Sequence, residues 1–126
     1  MTPEVSFAID ELKAAFPNSV ITATDLGDGG ASVLIDEVCL GQPYVQPTSW
    51  LGFVVGFQYP LADVYPLFAR EDLSRCDGSP LGEGMSNASF DGRAAVQISR
   101  RSNRLDPTTD TATLKVTKVL DWLRSR

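Results

Sequence analysis

The sequence predicts an α+β fold in a single domain, with two terminal helices covering one antiparallel sheet. Its 126 residues suit one domain, because a chain of this length buries one hydrophobic core without disulfides or metals. Helical periodicity is found at the two ends, and the central residues form short β-branched runs separated by glycine and proline. The predicted order is helix, three strands, a long loop, a fourth strand and a helix.

The first element is a helix that runs from Thr2 to about Phe16. Thr2 supplies a hydroxyl N-cap, Pro3 suits the first helical position, and Glu4 is an acid in the first turn. Pro17 ends the helix. Five apolar residues form one stripe that is expected to pack on the sheet: Val5, Ala8, Ile9, Leu12 and Phe16.

A β-hairpin and a third strand follow. Residues 20–26 and 31–40 are β-branched runs on either side of the glycine-rich turn 27–30. Segment 41–49 contains two prolines and is a connector, and residues 50–58 have the aromatic and β-branched composition of a strand. The three strands predict a meander. Four aromatic residues are expected in the core: Trp50, Phe53, Phe57 and Trp122.

The rest of the chain predicts a long loop, a fourth strand and a closing helix. Residues 59–92 contain three prolines and four glycines with little periodicity, which indicates a functional loop or short hidden elements. Residues 94–99 predict a strand, and segment 106–110 offers N-caps for the helix. Four residues form the buried stripe of this helix: Val116, Val119, Leu120 and Leu123. Three basic residues are expected on its opposite face: Lys115, Lys118 and Arg124.

The composition excludes several classes of function. The chain has no histidine, so zinc sites and histidine-based catalytic triads lack their imidazole groups, and nothing implies a cofactor. No apolar run approaches the roughly 18 residues of a membrane span, and the acidic N-terminal segment is unlike a secretory signal. Cys39 and Cys76 are therefore expected to be free thiols in a cytoplasmic protein.

Charge is segregated along the chain. Residues 1–92 contain three basic and thirteen acidic side chains (−10), and residues 93–126 contain eight basic and three acidic ones (+5), which together give −5. A net acidic chain is a poor nucleic-acid binder by bulk electrostatics. Arg100, Arg101 and Arg104 form a local cluster whose guanidinium groups suit carboxylates of a protein partner or of this protein's own acidic half.

Two segments resemble the ubiquitin-conjugating enzymes. Segment 59–68 (Tyr-Pro-Leu-Ala-Asp-Val-Tyr-Pro-Leu-Phe) directly follows the third strand, as the tyrosine-proline turn of that family follows its meander. Segment 91–101, followed by Asp106 and Pro107, is similar to a divergent bacterial branch found beside genes for ubiquitin-like proteins. The resemblance covers residues 5–124 in layout. It implies a ubiquitin-conjugating (UBC) fold with an active-site segment in the long loop.

The resemblance implies a component of a bacterial ubiquitin-like conjugation system, with a ubiquitin-like protein and its activating enzyme as partners. The histidine-proline-asparagine motif of the family is absent, and the position of its catalytic cysteine falls near Ala95. Either Cys76 carries the thioester, or the domain is a cysteine-independent scaffold. Asn87 and Asn103 are the amides that could replace the oxyanion-stabilising asparagine of the family.

The two cysteines differ in their sequence surroundings. Cys76 lies outside any apolar periodicity and is expected to be exposed, with Arg75 favouring its thiolate and Asp77 opposing it. Cys39 lies between Val38 and Leu40 and is expected to be buried. Cys76 is therefore the candidate nucleophile.

A small acidic secretion chaperone is the alternative class. Such chaperones have a similar order of elements and a similar charge, and they bind an unfolded cargo segment through an exposed apolar face. The proline-rich turn and long loop of residues 59–92 favour the conjugation domain over this alternative.

Overall fold

A computed structural model describes all residues, 1–126. The chain has an α+β fold with one helix at each end, as predicted, and the antiparallel sheet between the helices has six strands rather than the expected four. The helices are α1 (Pro3–Ala15) and α2 (Ala112–Arg124). The strands are β1 (Ile21–Asp25), β2 (Ala31–Cys39), β3 (Thr48–Val55), β4 (Leu67–Arg70), β5 (Met85–Phe90) and β6 (Arg93–Ile98). Neither helix has the length and apolar character needed to cross a bilayer.

The sheet has the strand order β1-β2-β3-β4-β6-β5. Strands β1 to β4 are a meander, and the β5–β6 hairpin joins it through the pairing of β6 with β4. The predicted fourth strand at residues 94–99 is β6, but the expected loop 59–92 also contains β4 and β5. Strand β4 has only four residues. In β5 Phe90 is the only buried residue, so its sequence shows no clear alternation.

Both helices pack on the same face of the sheet. The inward side chains of β2 and β3, including Val33 and Phe53, form one cluster with buried residues of both helices. The α1 stripe is confirmed except for Phe16, which is partly buried at the helix end. The Thr2 hydroxyl accepts a hydrogen bond from the Val5 N–H at 3.1 Å, as expected of an N-cap. The four-residue stripe of α2 is also buried.

A β-bulge in β2 overturns the prediction for Cys39. The register shifts between Ile35 and Val38, so two consecutive residues, Asp36 and Glu37, face outward. Val38 then faces the core and Cys39 faces solvent. Consecutive side chains of a strand point to opposite faces of the sheet. Because Val38 faces the core, Cys39 next to it faces solvent.

The tip of the β5–β6 hairpin lies over the outer face of the sheet. The ring of Phe90 stacks on Phe68, with centroids 5.1 Å apart, and covers Gly52, where a Cβ atom would overlap the ring. The Arg93 guanidinium lies 5.1 Å from the ring centroid of Trp50, which is partly buried on this face rather than in the core. Phe57 lies beyond β3 and is 55% exposed, so its predicted core position is wrong.

Helix α2 begins one residue later than the predicted caps. Thr111 is its N-cap and accepts a hydrogen bond from the Leu114 N–H at 3.1 Å. The Ala112 N–H donates to the buried hydroxyl oxygen of Tyr59 at 3.0 Å. Burial raises the pKa of Tyr59, and the Ala112 N–H opposes this with a smaller effect. The first tyrosine-proline turn is thereby attached to the start of α2.

Replacing Tyr59 by phenylalanine is expected to lower the free energy of unfolding by about 1–3 kcal/mol, because the buried Ala112 N–H loses its acceptor. Tyr44→Phe is a matched control, since the Tyr44 hydroxyl is buried without a hydrogen-bond partner. Its removal is expected to be neutral or stabilising. Urea unfolding of both variants measures the difference. Equal losses would show that the Tyr59 hydrogen bond does not support α2.

Candidate binding site

The arginines of the predicted cluster do not all lie together. The Arg100 guanidinium lies 4.9 Å from the ring centroid of Trp122, and that of Arg101 lies 4.1 Å from the ring centroid of Tyr65. Arg104 is exposed in a turn with a φ of 54°. The structure therefore places two members of the cluster on aromatic rings, and Arg104 separately from them.

Lys115 holds the chain segment that carries these arginines. It was predicted on the exposed face of α2, but it is only 7% exposed. Its Nζ donates to both carboxylate oxygens of Asp63 at 3.1 and 3.2 Å, to the carbonyl oxygen of Arg100 at 2.6 Å and to Ser102 Oγ at 3.1 Å. Three residues after the buried Ala112, Lys115 lies on the edge of the apolar stripe, and its charge is accommodated by these acceptors.

Asp63 completes this buried polar group. Its carboxylate accepts hydrogen bonds from the N–H and the hydroxyl of Ser102 at 2.7 and 2.8 Å. Burial raises the pKa of Asp63, but the hydrogen bonds from Ser102 and Lys115 together outweigh it and leave the pKa below its ordinary value. The carboxylate is therefore ionised at neutral pH. It holds Ser102 directly and pairs with Lys115, which in turn holds the carbonyl oxygen of Arg100.

Trp122 lies at the centre of the basic surface rather than in the core. It is partly buried, and a second guanidinium, that of Arg126, lies 4.6 Å from its ring centroid. Arg126 also donates to the carbonyl oxygen of Glu83 at 3.0 Å. Gly84, with a φ of 86°, packs against the indole, and a Cβ atom there would lie 3.1 Å from it. The residues before β5 thus pack against Trp122 and Arg126.

Arg75 extends the basic surface towards the Cys76 loop. Its guanidinium donates to the main-chain oxygen of Arg126 at 2.7 Å and lies 3.9 Å from the Asp77 carboxylate, and its side chain is only 15% exposed. The Cys76 N–H donates to the carbonyl oxygen of Pro43 at 2.7 Å. Residues 75 and 76 are therefore held between the connector before β3 and the end of α2.

Two depressions flank Trp122, and we call them together the Trp122 groove. One has a volume of about 480 Å³ and is lined by Arg75 and Arg126, and the other has a volume of about 230 Å³ and is lined by Arg100, Arg101 and Lys118. Trp122 lines both, and neither lining contains an acidic residue. Arg104 lines neither. Positive charge is concentrated here on a protein whose net charge is −5.

Cys76 is exposed, as predicted. Its Sγ makes no hydrogen bond, and the Arg75 guanidinium donates to Arg126 instead. The Asp77 carboxylate accepts hydrogen bonds from the N–H and the hydroxyl of Ser79 at 2.9 and 2.6 Å. These polar groups therefore stabilise the conformation of the loop.

The other residues considered for chemistry are placed elsewhere. Asn87 lies on β5 opposite Val96, and Asn103 lines the smaller depression of the Trp122 groove. Cys39 lines a separate depression beside Arg124, whose guanidinium donates to the carbonyl oxygen of Cys39 at 2.7 Å. Cys76 lines none of the depressions of this surface. The structure therefore does not bring Cys76 and either asparagine into one cavity.

Sequence reasoning found Arg100 and Arg101 but missed Trp122, Arg126 and Arg75 as parts of the same surface. Trp122 follows Val119 by three residues and so lies at the edge of the buried stripe, which is a signal of partial exposure. No sequence signal links Arg75 to Arg126, because residues far apart in the chain meet only in the folded protein.

Comparisons with known proteins found no match, so the site is interpreted from the chemistry of its own residues. No family model matches the chain, and neither a curated protein nor a solved structure matches it. The structure also has no group of three or more cysteine, aspartate or glutamate side chains placed to hold a metal ion. The Trp122 groove is lined by basic side chains and by no acidic ones, and its chemistry is that of anion binding.

Proposed function

We propose that this protein is a cysteine-independent binding component of a bacterial ubiquitin-like conjugation system, with a UBC-like fold. The observation that carries the proposal is the contact between the two segments that resemble the ubiquitin-conjugating enzymes. Asp63 in segment 59–68 accepts hydrogen bonds from Ser102, which directly follows segment 91–101. Tyr65 and Arg101, one from each segment, stack at 4.1 Å. The two segments thus form one structural unit.

The order of elements supports the same proposal. An N-terminal helix, a meander and a tyrosine-proline turn before β4 occur in the order that the resemblance implies, and a helix closes the chain. The Tyr59 hydroxyl joins that turn to the start of α2. The β5–β6 hairpin occupies the part of the chain where the resemblance implies an active-site segment.

The surroundings of the cysteines favour a scaffold over a thioester carrier. A carrier needs an activated thiolate, and the Sγ of the exposed Cys76 makes no hydrogen bond. The position that corresponds to the catalytic cysteine of the family, Ala95, is 2% exposed within β6. We therefore assign the function of the domain to partner binding through the basic surface rather than to acyl transfer.

The outer face of the sheet gives no support to the chaperone alternative. The hairpin tip covers part of this face, where Phe90 is 7% exposed and Ser32 donates to the carboxylate of Asp91 at 3.1 Å. A chaperone needs an open apolar face for its cargo.

Reconstitution with an activating enzyme and a ubiquitin-like protein encoded beside this gene tests the proposal. In the presence of ATP, we expect both partners to bind the protein and no reducible adduct to form, because Cys76 lacks an activating environment. Mass spectrometry without reductant measures the adduct. Cys76→Ala is expected to support modification of a target at the wild-type rate.

Two outcomes would contradict the scaffold assignment. One is a species heavier by one modifier that is cleaved by reductant and absent in Cys76→Ala, which would make Cys76 a carrier. The other is an adduct that disappears only in Cys39→Ala, which would assign the thioester to the other exposed thiol. A gene neighbourhood with neither an activating enzyme nor a ubiquitin-like protein would contradict the conjugation system itself.

A further inference from the structure

We infer that the Trp122 groove binds an extended acidic segment of a protein partner. This rests on the proposed function, in which the protein is a binding component, and specifies the chemistry of the partner. Three arginines lie on two aromatic rings: Arg100 and Arg126 on Trp122, and Arg101 on Tyr65.

These three arginines make no ion pair within the protein, in contrast to the neighbouring lysines. Lys115 is paired with Asp63 at 3.1 Å and Lys118 with Asp110 at 3.6 Å, whereas no carboxylate lies within ion-pairing distance of Arg100, Arg101 or Arg126. Sixteen acidic residues are present in the chain, but of the arginines that line the groove only Arg75 has an acidic neighbour, Asp77 at 3.9 Å. Arg100, Arg101 and Arg126 are therefore available to an external anion.

Stacking on the rings orients these guanidinium groups so that they can bind carboxylates. A guanidinium that lies on a ring uses its flat face for the cation–π contact and keeps its in-plane N–H groups for a two-point contact with a carboxylate. Arg126 is held further by its hydrogen bond to Glu83, and its main chain by Arg75. Because these side chains are already ordered, a partner meets a smaller entropic cost on binding.

The occupant that fits the groove best is an acidic polypeptide rather than a nucleic acid. A net charge of −5 repels a nucleic acid, whose phosphate charges continue beyond the groove, more than a short acidic segment that is confined to the groove. A base that stacked on Trp122 would also have to displace a guanidinium, since two already lie within 5 Å of its ring centroid. Glutamate and aspartate side chains need only the exposed N–H groups and leave the stacking intact.

A fluorescence-polarisation titration with a labelled peptide of eight glutamates tests the inference. We expect saturable binding that weakens as salt rises, and no binding of a peptide of eight lysines. Arg100→Glu is expected to weaken binding about tenfold or more, because it replaces an attraction by a repulsion. Lys13→Glu is the matched control, since it makes the same charge change at an exposed residue in the last turn of α1 and is expected to retain wild-type affinity.

Thermal unfolding of each variant shows whether it is folded. Arg101→Gln is a second, milder variant, because it removes a positive charge without introducing a negative one. We expect about a threefold loss of affinity for Arg101→Gln. The inference is overturned if the wild-type protein does not bind the glutamate peptide, or if Lys13→Glu weakens binding as much as Arg100→Glu. It is also overturned if single-stranded DNA binds more tightly than the peptide.

The titration contains no activating enzyme or modifier, so its result is separate from that of the reconstitution. If the peptide binds but the reconstitution fails, the acidic-segment site is supported and the role in a conjugation system is contradicted. If the reconstitution succeeds but the peptide does not bind, the role in the conjugation system is supported and the acidic-segment site is contradicted.

Discussion

Replacing Lys115 by methionine is expected to lower the free energy of unfolding by about 3–5 kcal/mol, because it leaves the Asp63 carboxylate without its partner in a largely buried position. The ammonium group donates to four acceptor atoms around Asp63, Arg100 and Ser102, and methionine donates to none. Urea unfolding measures the loss. Lys118→Met is the matched control, since Lys118 is 63% exposed, and we expect it to cost less than about 1 kcal/mol.

A double variant separates the charge from the packing. Lys115→Met combined with Asp63→Leu removes both charges and is expected to regain a large part of the lost stability, because no unpaired ion remains buried. A single Lys115→Met variant as stable as the wild-type protein would contradict the structural role of the pair.

The same pair gives the protein a defined acid sensitivity. Folding lowers the pKa of Asp63 below its ordinary value of 3.8. The ionised carboxylate therefore makes its full contribution to the free energy of unfolding at pH values above 3.8. This contribution is lost as pH falls through the lowered pKa, where the folded carboxylate takes up its proton. The stability of the Asp63→Leu, Lys115→Met double variant is expected to fall less steeply over this acidic range.

Replacing Leu120 by aspartate is expected to cost about 4 kcal/mol or more, enough to unfold a marginally stable domain. Leu120 is 4% exposed and packs in the single core cluster that joins both helices to the sheet. Leu114→Asp on the same helix is the control, because Leu114 is 36% exposed and lies near the helix N-terminus, where an acid is tolerated.

The difference between these two variants checks the orientation of α2. Circular dichroism on heating is expected to give a much lower midpoint for Leu120→Asp than for Leu114→Asp. A midpoint for Leu120→Asp close to that of the wild-type protein would mean that α2 does not pack on the sheet by its predicted stripe.

Strong local signals made the ends of the fold predictable. The Thr2 cap and the regular stripe specify α1, and the glycine-rich turn specifies the β1–β2 hairpin, because these features depend on residues close in sequence. Strands β4 and β5 lacked such signals. Strand β4 has four residues, and β5 is stabilised mainly by its ladder with β6, so tertiary pairing rather than local pattern defines them.

The candidate site was predictable only in part, for a related reason. The local density of arginine indicated a basic cluster, and Arg100 and Arg101 are indeed part of one. The buried position of Lys115 depends on Asp63, which is distant in sequence, and the exposure of Cys39 depends on a bulge in β2. Helical periodicity put Lys115 on the exposed face, because it describes a regular element without its partners. The usual burial of free cysteine and the apolar neighbours of Cys39 predicted burial there, without regard to which face of the strand it occupies.

We propose that partner binding occurs through the Trp122 groove and does not involve Cys76. One titration of the glutamate peptide against the wild-type protein, Cys76→Ala and Arg100→Glu tests this proposal. We expect the same dissociation constant for Cys76→Ala as for the wild-type protein, and a value about tenfold higher or more for Arg100→Glu. An unchanged dissociation constant for Arg100→Glu, or a loss of binding in Cys76→Ala, would contradict the proposal.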